Sequence, residues 1–128
     1  IMDILKKGKI IITLHNNPGQ ANWSSEYKNI QFIPGNGNRN NDQSNVVWLS
    51  GLSKLEDNLE RINEVRHYQQ QGINIVYEYV PYNNPNDGSL SNRATIEGIN
   101  YYNIETDQLA PDIQKKYLKA VLEFNNSK

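Results

Sequence analysis

The run Lys9-Ile10-Ile11-Ile12-Thr13-Leu14 constrains this chain more than any other segment. It is β-branched and continuous and gives way to the turn cluster Asn16-Asn17-Pro18-Gly19, so it reads as a buried strand placed mid-sheet. The strand delivers His15, one of only two histidines, to a loop mouth. Loop mouths are where α/β and α+β proteins concentrate their chemistry.

The rest of the pattern assembles a sheet around that strand. Asn29 to Ile33 reads as a second strand stopped by Pro34-Gly35, and Val46 to Leu49 as a short third strand or the lead-in to a helix. Ser53-Lys54-Leu55-Glu56 fits a capping box, and Leu52, Leu55, Leu59, Ile62 and Val65 recur at helical spacing, which predicts a helix to about Gln71 ended by Gly72. Asp57 and Arg61, four residues apart, would pair on its exposed side. Ile73 to Val80 alternates as a strand with an aromatic or apolar face and a mixed face carrying Glu78. Ala94 to Ile96 and Ile99 to Ile104 read as strands joined by a hairpin across Glu97-Gly98. Pro111 suits a first helical position, and Ile113, Tyr117, Val121 and Phe124 form the stripe of a closing helix. The expected architecture is α+β: one twisted, mainly antiparallel sheet of about five or six strands with two main helices packed on it, a single domain over residues 1–128.

Composition narrows the function classes. A 128-residue chain is the size of one domain and buries roughly two thirds of its unfolded surface. Its net charge of −1 argues against a broad nucleic-acid-binding coat, although Lys6, Lys7, Lys9, Lys28 and Arg39 make the first forty residues locally basic. There is no cysteine, which removes disulfides, thiolate nucleophiles and thiolate zinc sites and leaves the compartment open. No apolar run approaches the roughly 18 residues that span a bilayer, and no secretory leader is read ahead of the first strand. The start at Ile1 fits excision from a longer polypeptide. Twenty asparagines supply turn residues and hydrogen-bonding amides.

Candidate chemistry rests on few side chains. His15 offers a group that titrates near neutrality, and His67 sits beside Arg66 in the last helical turn, where positive charge complements the helix dipole. The two histidines are fifty-two positions apart and match no zinc pattern, so neither a metal nor a cofactor is expected. Glu78 is the only carboxylate in its strand and becomes a base if a cation or phosphate lies opposite. Arg93 reaches it if the two strands pair, and a guanidinium suits a phosphate. Trp23, Trp48, Tyr77, Tyr79, Tyr82, Tyr101 and Tyr102 are candidates for stacking bases or sugars.

These residue types fit a toxin-like, metal-independent ribonuclease. Attack of a 2′-hydroxyl on the adjacent phosphate needs a base, an acid and groups that stabilise the phosphorane charge. His15, Glu78, Arg93 and His67 form the candidate catalytic set, and Lys28, Trp23, Tyr77 and Tyr79 the substrate-binding set. RNA is the expected substrate and an inhibitor protein the expected partner, with delivery by secretion or as part of a larger protein. The alternative is a non-catalytic binding module such as an immunity-type inhibitor, an adaptor or a carbohydrate-binding domain, favoured by amide-rich loops and tyrosines. A third reading, a glycan-processing enzyme, needs two carboxylates close together, with Glu78 and Glu97 as the candidates.

Overall fold

A computed structural model describes residues 2–5, 10–17, 30–38, 44–80, 94–95, 97–107 and 111–127. In chain order these form β1 (Met2–Leu5), β2 (Ile10–Asn17), β3 (Ile30–Ile33), β4 (Val46–Gly51), a short 3-10 turn (Leu55–Asp57), α1 (Leu59–Gln70), β5 (Ile75–Tyr79), β6 (Asn100–Asp107) and α2 (Pro111–Asn126). The described strands make one sheet in the order β1-β2-β6-β4-β5-β3.

An α+β fold with two helices is what the sequence implied, and the sheet is mixed, not purely antiparallel. Strands β2 and β6 run parallel, as do β4 and β5, while β1–β2, β4–β6 and β3–β5 are antiparallel. Helix α1 explains one parallel pair, because a helical crossover returns the chain to start β5 in the same direction as β4. The other arises because β6, the last strand, lies between β2 and β4. The apolar run from Ile10 is therefore flanked on both edges, as its composition demanded.

Both helices cover the same face. Ile10 and Ile12 of β2, Val47 and Leu49 of β4, Ile75 and Tyr77 of β5, and Tyr102 and Ile104 of β6 pack with Val65 and Tyr68 of α1 and Tyr117, Ala120 and Val121 of α2. Each fully buried aliphatic side chain in this layer contributes about 1.5–3 kcal/mol relative to exposure. By strand alternation the intervening residues, among them Thr13, His15, Trp48, Ser50, Glu78, Tyr101, Asn103 and Glu105, belong to the second face.

Three local readings are corrected. The helix begins at Leu59, not at Ser53, because Asn58 provides the cap: its side chain accepts the Arg61 N–H at 3.1 Å. The leucine spacing then misleads at Leu59, which is 71% exposed, and α1 buries Val65 of that stripe together with Arg61, Glu64 and Tyr68. Arg61 accordingly pairs with Glu64 inside the protein and not with Asp57 on the surface. Ala94 and Thr95 are helical, not strand. Gly98 ends that turn at φ +78, with its N–H on Thr95 O and the Ile99 N–H on Ala94 O, a Schellman closure in place of a hairpin. Gly72 ends α1 in the same way at φ +74, as its position in the sequence implied, with its N–H on Gln69 O and the Ile73 N–H on Tyr68 O. Replacing Asn58 with alanine removes the α1 cap and is expected to cost about 1 kcal/mol in urea unfolding. No measurable loss would show that the 3-10 turn holds the helix end unaided.

Asparagine also works inside the fold. Asn74 is 4% exposed; its Oδ1 accepts from Gly35 N at 3.0 Å and Asn38 Nδ2 at 2.8 Å, while its Nδ2 donates to Asn45 O at 3.0 Å. One amide thus joins the turn after β3 to the entrances of β4 and β5, and its polar atoms are satisfied.

Candidate functional site

Strand β2 continues through His15 to Asn17, so the histidine lies within the sheet rather than at a loop mouth. It is exposed and stands in register with Glu105 on the parallel neighbour β6. Adjacent strands lie about 4.8 Å apart, so the two residues are cross-strand neighbours on the second face.

A hydrogen-bonded series orients that carboxylate. Glu105 Oε2 accepts from Asn103 Nδ2 at 2.7 Å, and Asn103 Oδ1 accepts from the Thr13 hydroxyl at 3.0 Å. Thr13 Oγ1 and the Tyr101 hydroxyl share a hydrogen bond at 3.2 Å. Burial pushes the Tyr101 phenol above its usual range; the Thr13 bond opposes this, and the negative charges of Glu105 and Glu78 add to it. Tyr101 therefore stays a neutral phenol in the field of two carboxylates.

Glu78 shares the second face, 8% exposed, and accepts the indole N–H of Trp48 at 3.0 Å. It does not meet His15: β5 and β2 are separated by β4 and β6, roughly 14 Å from strand spacing alone. The imagined pairing of its strand with the segment after Arg93 does not occur, since β5 pairs with β3 and β4. Arg93 itself, with Lys28, Trp23 and Tyr82, lies outside the described residues.

The remaining candidates occupy other surroundings. His67 on α1 bonds the Gln71 side chain at 3.0 Å and packs against Tyr68 and Phe124. Tyr77 faces the helices and donates its hydroxyl to Ser53 O at 2.6 Å, while Tyr79 is half-buried. Glu97 is exposed in the turn before β6. Among the described residues there is no group of three metal-ligating side chains.

On the helix side a second polar cluster is fully interior. Glu64, 1% exposed, accepts from Arg61 Nη1 at 2.7 Å and from the hydroxyls of Tyr68 and Tyr102, each at 2.6 Å. Arg61 Nη2 donates to Ser50 O at 3.1 Å, and its guanidinium lies 5.5 Å from the Tyr102 ring centroid. Burial opposes the Arg61 charge, yet the adjoining Glu64 more than restores it, and its pKa lies above the ordinary arginine value.

The sequence reading missed Glu105, Asn103 and Thr13. The signal was the alternation of Tyr101, Asn103 and Glu105, a polar row on one face of a strand read as ending at Ile104. Comparison with protein-family models, with curated proteins and with solved structures returns no match.

Proposed function

We propose that this chain is a toxin-like ribonuclease that cleaves by 2′-hydroxyl transesterification, with Glu105 and His15 as its base and acid. The observation that carries the reading is the exposed His15 standing beside Glu105, whose orientation is set through Asn103, Thr13 and Tyr101. Glu105 takes the 2′-hydroxyl proton, the 2′-oxygen attacks phosphorus, and the bond to the 5′-oxygen breaks as His15 protonates it. The product is a cyclic 2′,3′-phosphate. This pairing replaces Glu78 as the base, because Glu78 is bonded to Trp48 and is three strands from His15. An inhibitor protein and delivery within a larger polypeptide belong to the same proposal.

Incubation with single-stranded RNA in chelator tests it. Cleavage is expected from the native chain, with a loss of about 10²–10⁴-fold in His15→Ala and in Glu105→Gln, and none on the 2′-deoxy strand. Intact RNA with the native protein would overturn the reading and favour the non-catalytic binding module, while undiminished cleavage by His15→Ala would overturn the mechanism as stated.

A further inference from the structure

A second site opens away from His15, at the carboxyl end of β4. The cleft has a volume of about 330 Å³, with the Gly51–Ser53 segment and the start of α1 on one side and Thr95, Gly98, Ile99 and Asn100 on the other. That is within the size range of small-molecule sites.

Its walls are tied rather than collapsed. The Tyr77 hydroxyl bonded to Ser53 O fixes the first wall, and only a glycine at position 51 leaves room for that hydroxyl, since a Cβ there would collide with it. The Schellman closure at Gly98 fixes the second. Ser50 Oγ and Thr95 Oγ1, 2.7 Å apart, fasten the two together at the base. Arg61 also lines the cleft, anchored to Ser50 O.

The chemistry of the lining selects the ligand. Glu60 and Arg61 are its charged residues, and Arg61 is neutralised by Glu64 at 2.7 Å, so the site has no excess positive charge for an anion. What it offers is a mixture of donors and acceptors on Ser53 and Asn100 beside the apolar surface of Leu52 and Ile99. That combination matches a ring with several hydroxyls and an apolar edge. We infer that this cleft binds a neutral, polyhydroxylated ring of monosaccharide size, a site independent of the ribonuclease reading.

Amide chemical shifts of the whole chain, followed on titration with D-glucose, D-ribose and, separately, sodium phosphate, provide the test. A neutral sugar is expected to give saturable shifts centred on Gly51, Ser53, Gly98 and Asn100, unaffected by His15→Ala, while phosphate leaves those amides in place. Ser53→Ala keeps the carbonyl that Tyr77 holds and is expected to weaken sugar binding roughly fivefold through one lost hydrogen bond. Absence of saturable shifts with both sugars, larger shifts at the same amides with phosphate, or unchanged affinity in Ser53→Ala would each overturn the assignment.

Discussion

Glu64→Ala is expected to lower the free energy of unfolding by about 3–5 kcal/mol, a large part of the roughly 5–15 kcal/mol that holds a domain of ordinary stability. The substitution removes the acceptor of three donors at once and leaves the Arg61 charge, 7% exposed, without its counter-ion. The Tyr68 and Tyr102 hydroxyls, in side chains with no exposed surface, lose the same partner. Urea midpoints measure the effect, and a loss below about 1 kcal/mol would show that the cluster relaxes or hydrates easily. The double variant Arg61→Met, Glu64→Leu is expected to lose much less than Glu64→Ala, because it removes both charges and keeps apolar volume.

The same cluster sets an alkaline limit on stability. Burial, reinforced by the Glu64 charge, raises the phenol pKa of both Tyr68 and Tyr102 far above the unfolded value of about 10. Below that pH both states keep the protons, and nothing is lost. Above it the unfolded chain releases them while the folded chain retains them, so each tyrosine reduces stability by ~1.4 kcal/mol per pH unit. Two such groups remove roughly 5 kcal/mol by pH 12. Urea midpoints between pH 10 and 12 are expected to fall steeply, with a smaller slope in Tyr68→Phe. A flat profile would mean that the phenols ionise in place.

Much of the scaffold was legible because its signals are local. The Ile10 strand, the Gly72 helix stop and the Pro111 helix rest on apolar continuity, a left-handed glycine and a proline at a helix start, none of which depends on distant partners. The order of strands did not follow, because the insertion of β6 between β2 and β4 is a long-range choice with no local marker. Helix α1 shows how periodicity misleads. Leu59 continued an apolar spacing yet is exposed, whereas Arg61 and Glu64 are buried because each satisfies the other. For the candidate site, His15 was visible as a residue, but its neighbour came from register: Glu105 meets it across a parallel pair separated by ninety positions in sequence.

The central place of β6 also has a consequence for how the molecule is made. A chain extended only as far as residue 99 contains β2 and β4 but not the strand between them, so each presents an edge of unpaired backbone amides and carbonyls. On the ribosome the completed sheet must wait for β6, and closure joins β2 to a strand ninety residues later in the sequence. Nascent chains halted before Asn100 would therefore be the aggregation-prone species, and a chaperone that shields strand edges would act in that interval.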